Sequence, residues 1–185
     1  MRSIINKVSE EISSVLSKVK EEEAIALSQE VQKSKRIFVY GEGRSGLMGK
    51  AFAMRLMHGG YPVYVVGETI TPSLQRGDLL IAITGSGSTS SILQSVSKAK
   101  EIGARVYSVT TNGDSKIALL SDGVLIVPAA TKYRRPEEPE TIQPLGNQFD
   151  QTIHLLLDGI IIYTLQQSQG KVAFDEMKQR HTNLE

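Results

Sequence analysis

The sequence predicts an α/β fold: a doubly wound, five-stranded parallel sheet sandwiched by helices, of flavodoxin-like type, with an N-terminal helical hairpin. Two observations predict it. Short apolar runs bounded by Gly, Pro or Asp recur from residue 36 onward, and such runs are typical of strands buried on both faces. Most of them are separated by segments with helical spacing of apolar residues, and this alternation produces a parallel sheet covered on both sides.

Residues 1–34 are predicted to form the hairpin, because Ile4, Val8 and Ile12 recur at helical spacing and a second helical stretch follows at about 21–32. Residues 35–168 are expected to form the α/β core. Its strands are predicted at 37–40, 63–66, 79–83, 106–109 and 124–127. Its first three helices are predicted at 47–58, 90–102 and about 115–120.

The last part of the core differs in character. Residues 128–144 form a polar segment with four prolines, which is predicted to lack regular structure and is long enough to indicate a functional loop. A long helix at about 147–167 is apolar nearly all round, which indicates burial against the sheet or another subunit, so self-association is expected. Residues 169–185 are expected to be a C-terminal segment within one domain spanning 1–185.

Composition restricts the classes of function. The 185 residues carry 21 Lys plus Arg against 20 Asp plus Glu, so no field that would capture nucleic acid or an anionic membrane is expected. The sequence has no cysteine, which excludes disulfides and Cys-ligated metals and fits a reducing compartment. The start lacks the apolar stretch of a secretory signal, and the longest apolar run, 155–165, is too short to span a bilayer. We therefore expect a cytoplasmic protein.

Two loops are candidates for binding an anion. In an open parallel sheet, ligands bind outside the carboxyl ends of the strands, and the turns after the first and third strands are both rich in Gly and hydroxyl residues. Each turn leads into a helix, where backbone N–H groups and the helix dipole favour a phosphate. The predicted phosphate-binding residues are Gly43, Arg44, Ser45, Thr84, Gly85, Ser86, Gly87, Ser88 and Thr89.

Two other interpretations of these loops stay open. Gly41, Gly43 and Gly46 match the dinucleotide fingerprint, with Glu68 in the place of a ribose-binding carboxylate, although a dinucleotide would not explain the second polar loop. The hydroxyl residues Ser88–Ser91 could also serve only to cap the helix that follows them.

A family resemblance adds to these observations. It is carried by Gly41–Gly46, Met54–His58, Gly67–Pro72, Thr84–Thr89, Gln143–Gly146 and Arg180–Glu185. Together these motifs resemble the SIS sugar-isomerase family, in particular its members that interconvert D-arabino-hex-3-ulose 6-phosphate and D-fructose 6-phosphate. The resemblance implies a sugar-phosphate substrate, a homotetramer, and a place in formaldehyde fixation by the ribulose monophosphate route or its reverse.

The resemblance also implies site residues. Moving a carbonyl from C3 to C2 through a 2,3-enediol needs one base near both carbons, so neither a redox cofactor nor a metal is expected. Asp150 lies where the family places that base, although the family usually has Glu there. The alternative for Asp150 is a helix-start carboxylate paired with His154. His181 resembles a histidine that a neighbouring subunit contributes, so the segment 169–185 is expected to reach that subunit's site.

His58 and Glu68 are further candidates for contacts with the substrate. Their plainer interpretations are a histidine at a helix end and a solvated loop carboxylate. Two other functions remain: a sugar-phosphate sensor without catalysis, and an isomerase of another sugar phosphate. Such sensors are usually fused to a DNA-binding helix-turn-helix, which the acidic run Glu21–Glu23 does not suit.

Overall fold

The computed structural model describes residues 1–168 and 174–184, and it contains a five-stranded parallel sheet. The strands are β1 (Ile37–Gly41), β2 (Val63–Val65), β3 (Leu79–Ile83), β4 (Arg105–Thr110) and β5 (Gly123–Ile126). They lie in the order β2-β1-β3-β4-β5, and each neighbouring pair is parallel. The predicted fold class is confirmed.

The helices are α1 (Arg2–Leu16), α2 (Glu21–Lys33), α3 (Gly43–His58), α4 (Ser90–Ile102), α5 (Lys116–Leu120), α6 (Asn147–Gln167) and α7 (Phe174–Gln179). The predicted bounds of α4 and α6 are confirmed. Helix α3 begins at Gly43 rather than at residue 47, so much of the predicted glycine turn is already helical. The short α7 was not predicted. No helix in the described part of the chain is long and apolar enough to cross a membrane.

Of the predicted C-terminal segment, residues 169–173 and 185 lie outside the described residues. The last residue of the carboxyl-terminal motif is therefore among those not described.

The sheet has a hydrophobic core on each face, because successive side chains of a strand point to opposite sides. In β3, Leu79, Ile81 and Ile83 pack towards α2, α3 and α6, whereas Leu80 and Ala82 pack towards α4 and α5. All five residues of β3 are buried. Burial on both faces explains why the strands appear in the sequence as continuous apolar runs and not as alternating ones.

The strand order fixes where a ligand can bind. The chain leaves β1 to reach β2 on one side and then returns to β3 on the other side, so the direction of winding changes between β1 and β3. In the register of these two strands, Gly41 lies opposite Ile83, which brings their carboxyl ends side by side. A crevice opens at such a switch point, between the two loops singled out in the sequence.

The segment 128–144 has no helix or strand, as predicted, and the irregular stretch continues to residue 146. Side chains from elsewhere in the chain hold it in place. Glu11 of α1 is only 6% exposed and accepts three hydrogen bonds from this segment. The donors are Thr141 Oγ1 at 2.5 Å, the Ile142 N–H at 3.0 Å and Gln143 Nε2 at 3.0 Å. A single buried carboxylate therefore fixes the part of the loop that leads into α6.

Arg134 forms a second clamp inside the same segment. Its guanidinium donates to the carbonyls of Thr131, Gln143 and Leu145, the last two at 2.6 and 2.8 Å. Arg134 and Leu145 both adopt positive φ values, +48° and +52°, which non-glycine residues adopt only when their surroundings hold them there. Because Leu145 directly precedes the N-cap of α6, the clamp helps to fix the start of that helix.

We predict that Glu11→Ala lowers the free energy of unfolding by roughly 3 kcal/mol at neutral pH, because three donors, among them the buried amide of Gln143, lose their acceptor. Burial raises the pKa of Glu11, but hydrogen bonds from Thr141, Gln143 and Ile142 and the charge of Lys7 outweigh it, so the pKa is lowered overall. This contribution is present above the unfolded pKa and is lost as pH falls through the folded one. Urea unfolding at neutral pH and near pH 3 measures both effects.

The matched control is Glu10→Ala, whose side chain is exposed and which should change stability by less than about 0.5 kcal/mol. Equal losses in the two variants, or a loss that persists unchanged at low pH, would contradict the role given to Glu11.

Candidate functional site

A cavity of about 230 Å³ lies at the carboxyl ends of β1 and β3. Predicted residues that line it are Ser45, Thr84, Gly85, Ser86, Thr89 and Asp150. Residues that the sequence analysis did not assign to the site also line it, among them Glu42, Thr131, Lys132, Tyr133, Leu145, Gly146 and Phe149. The site is therefore built by the two predicted loops, the start of α6 and the irregular segment before it.

The loop from Thr84 to Thr89 curls back on itself. Thr84 Oγ1 lies 3.2 Å from Thr89 Oγ1 and accepts a hydrogen bond of 3.2 Å from the Gly87 N–H. Gly87 has a φ of +63°, and a Cβ at this position would overlap the side chain of Ser115. Glycine is thus required here both by the backbone conformation and by the space available.

The amino end of α4 is left open towards this loop. Among the described residues, no side chain caps the first turn of α4, whereas Ser115 caps α5 by accepting from the Ala118 N–H at 3.3 Å. The Ser91 hydroxyl donates instead to Glu42 at 3.0 Å. Helix capping therefore does not account for the hydroxyls of this loop. Free N–H groups at a helix start, with hydroxyls beside them, suit a phosphate.

Asp150 lies in the first turn of α6 and is 6% exposed. The Ser45 hydroxyl donates to its Oδ1 at 2.7 Å, and Arg44 Nε lies 3.5 Å from its Oδ2. Among the described residues, these are its side-chain partners, and His154 is not one of them. Burial raises the pKa of Asp150, while the hydrogen bond from Ser45 and the charge of Arg44 act in the opposite direction. The net increase in pKa makes Asp150 a stronger base than an exposed aspartate.

The two polar residues of the first loop contact a carboxylate. Arg44 and Ser45, for which the sequence predicts phosphate binding, both face Asp150. Neither Gly43 nor Arg44 lines the cavity, and the same is true of Gly87 and Ser88 in the second loop. The sequence analysis predicted correctly that both loops lie at the carboxyl edge of the sheet, but it could not predict which side chains their residues contact.

Lys132 and Tyr133 are the most informative additions. Lys132 is the only cationic side chain among the described residues that line the cavity, and its Nζ lies 5.2 Å from the centre of the Tyr133 ring. The one available signal was the polar, proline-rich composition of their segment, which marks a loop without showing which residues point inward.

Two predicted histidines lie away from the cavity. Ser45 and His58 stand near opposite ends of α3, about 20 Å apart at the usual helical rise. His181 stacks on His58, with ring centres 5.2 Å apart. Burial lowers the pKa of His58, and the nearby charges of Arg55 and His181 act in the same direction. Neither histidine reaches the cavity of its own chain.

Glu68, the other candidate, forms an ion pair with Lys50 of α3. Both side chains are about half exposed, and neither lines the cavity.

The arrangement combines a buried carboxylate with an open helix start and one ammonium group in a single cavity. Such a set can hold a small phosphorylated molecule and move a proton on it.

Comparison with known proteins agrees with this geometry. The SIS domain profile matches residues 30–138. The 3-hexulose-6-phosphate isomerase of Bacillus subtilis is 40% identical over 167 residues, covering 90% of this chain and 89% of that protein. The enzyme of the same name from Mycobacterium gastri is 38% identical over 181 residues, covering 98% and 89%.

Among solved structures, a protein of Methanococcus jannaschii superposes with a TM-score of 0.84 at 33% identity, covering 98% of each chain. Its crystal structure was taken to infer a molecular function of 3-hexulose-6-phosphate isomerase.

We predict that Gly87→Ala lowers the free energy of unfolding by about 3 kcal/mol or more, because it adds a collision with Ser115 to an unfavourable φ. The control is Gly43→Ala: Gly43 has a similar φ of +56°, but nothing lies within 4 Å of a Cβ there. Gly43→Ala should lower the free energy of unfolding by only about 1–2 kcal/mol. Chemical unfolding of both variants measures the difference, and equal losses would contradict the collision.

We also predict that Asp150→Asn raises the free energy of unfolding at neutral pH. A raised folded pKa means that the native state holds the proton more tightly, so ionisation of Asp150 costs stability as pH rises. Below about pH 3 the carboxyl is protonated in both states and the two proteins should converge. Urea unfolding across this range tests it, with Asp158→Asn on the same helix as control. A destabilised Asp150→Asn protein would show that the carboxylate is needed for folding.

Proposed function

The chain belongs to the SIS domain family, and on that basis we propose that it is a 3-hexulose-6-phosphate isomerase. It interconverts D-arabino-hex-3-ulose 6-phosphate and D-fructose 6-phosphate. The observation that carries the proposal is that buried Asp150, whose pKa is raised, shares one cavity with the open amino end of α4.

The phosphate group binds at the loop from Thr84 to Thr89. Backbone N–H groups at the start of α4 and the hydroxyls of the loop donate to its oxygens. The cavity also contains the carboxylates of Glu42 and Asp150, which would repel a dianion. The dipole of α4 and the ammonium of Lys132 offset that repulsion, which favours binding the phosphate at the α4 side of the cavity.

Asp150 moves the proton between carbons. In the direction away from fructose 6-phosphate, its carboxylate removes the proton from C3. The electrons of that C–H bond form the C2–C3 double bond while those of the C2 carbonyl move to its oxygen, which takes up a proton to give the 2,3-enediol. Asp150 then delivers its proton to C2 while the hydroxyl on C3 loses its proton and becomes the new carbonyl. The reverse reaction takes the proton from C2 and returns it to C3, so one group serves both carbons. Its raised pKa brings the carboxylate closer to the operating pH, which favours both halves of this transfer.

The second catalytic group in this proposal is His181 of a neighbouring subunit, which assists ring opening and proton movement between oxygens. The position of His181 beside His58, far from its own cavity, supports a contribution to another chain. Leu155 and Ile162 on α6 are 50% and 58% exposed, which supports self-association through that helix. The assembly proposed is a homotetramer.

The physiological role proposed is in the ribulose monophosphate route, either fixing formaldehyde or running in reverse. A cytoplasmic location accords with a sequence that contains no cysteine.

The test is an NMR assay of the purified protein with fructose 6-phosphate in D2O. We expect formation of the 3-hexulose phosphate and deuterium incorporation at the reacting carbons. Asp150→Asn should reduce both by at least about a thousandfold, because the base is removed. Asp158→Asn, a matched change on α6 outside the cavity, should retain activity.

Binding of fructose 6-phosphate with neither exchange nor product in the wild type would contradict the assignment. It would indicate a sugar-phosphate sensor or an isomerase of another substrate.

A further inference from the structure

The hydroxyl of Ser45 lies on the cavity wall but is not free. It stands in the first turn of α3 and donates to Asp150 Oδ1 at 2.7 Å, across 105 residues of sequence. A serine hydroxyl carries a single proton. Once that proton is given to Asp150, Ser45 has none to donate to a phosphate oxygen.

We propose that Ser45 is a positioning residue for Asp150: it holds Oδ1 so that Oδ2 is the oxygen that accepts the substrate's proton. This inference rests on the proposed isomerase function and deepens it. It differs from the phosphate-binding role predicted for Ser45 from the sequence.

The two oxygens of Asp150 are held unequally. The contact of Oδ1 with Ser45 is short, whereas Arg44 Nε lies 3.5 Å from Oδ2, beyond the usual length of an N–H···O hydrogen bond. The Arg44 side chain is 61% exposed, so solvent screens this ion pair. Oδ2 is therefore the oxygen that remains available. The terminal torsion of aspartate is broad, and without Ser45 the carboxylate plane would be free to turn.

The glycines of the first loop explain how Ser45 comes to this position. A Cβ on Gly46 would lie 2.5 Å from the carbonyl oxygen of Gly41, so no other residue allows α3 to begin so close to the end of β1. Position 46 packs the helix start against the strand, and the preceding residue is thereby turned towards α6. The glycine pattern that resembles a dinucleotide fingerprint here serves to orient a carboxylate.

The experiment compares Ser45→Ala with Ser86→Ala, a change in the second loop that also lines the cavity. For Ser45→Ala we expect kcat to fall roughly tenfold to a hundredfold while KM changes by less than about twofold. The acid limb of the pH–rate profile should move to higher pH, because the hydrogen bond from Ser45 lowers the pKa of Asp150. Ser86→Ala should raise KM and leave the acid limb in place. In Ser45→Thr, which keeps the hydroxyl, the acid limb of the pH–rate profile should lie at its wild-type pH.

A second measurement does not depend on turnover. The side-chain carboxyl carbon of Asp150 is followed by ¹³C NMR during a pH titration and assigned by its absence in Asp150→Asn. Its midpoint should be higher in Ser45→Ala than in the wild type and unchanged in Ser86→Ala.

The outcomes separate the two proposals. An unchanged midpoint in Ser45→Ala, together with about tenfold weaker binding of fructose 6-phosphate, would overturn the positioning role and make Ser45 a phosphate ligand. Absence of turnover in the wild type would contradict the isomerase function, and the titration would still show whether Ser45 governs Asp150.

Discussion

The site depends on the parallel pairing of β1 with β3, which sets Gly41 opposite Ile83. Because β2 lies on the other side of β1, the chain leaves these two strand ends in different directions and no connection fills the space between them. The helices that follow, α3 and α4, therefore begin at one crevice, with their positive ends towards it. Glu42 links β1 to the start of α4 by accepting hydrogen bonds from Tyr40 at 2.8 Å and from Ser91 at 3.0 Å.

The cavity contains a buried carboxylate, that of Asp150, and burying an ionised group has a cost in free energy. An ionised carboxylate that is 6% exposed loses most of its hydration, and its pKa is raised by this burial. The surrounding structure holds Asp150 there through the start of α6, which is fixed by Glu11 and Arg134 from outside the helix. The same clamps shape the segment that carries Lys132. The contacts of Glu11 and Arg134 thus help to hold Asp150 in a buried position that raises its pKa.

The sequence predicted those features that have a local physical signal. The bounds of α4 and α6 followed from apolar spacing, and β3 from a continuous apolar run, because these patterns reflect burial of nearby residues. The loops after β1 and β3 followed from a topological rule. The sequence could not predict that Ser45 meets Asp150, or that Lys132 lines the cavity, because those positions depend on hydrogen bonds over long separations such as 105 and 132 residues. The start of α3 was missed because its glycines resemble a turn.

The two glycine-containing loops, after β1 and after β3, differ from the single glycine loop of a dinucleotide-binding site. In a dinucleotide site, the turn after the first strand and the helix it opens bind a pyrophosphate. Here the serine hydroxyl of that turn donates to Asp150, and the proposed function assigns the anion to the other loop, where α4 starts without a side-chain cap among the described residues. The strand order makes this division possible, since it sets the two loops side by side. The glycine pattern here therefore reflects close packing of a helix on a strand, and the neighbouring hydroxyl of Ser45 donates to the carboxylate of Asp150.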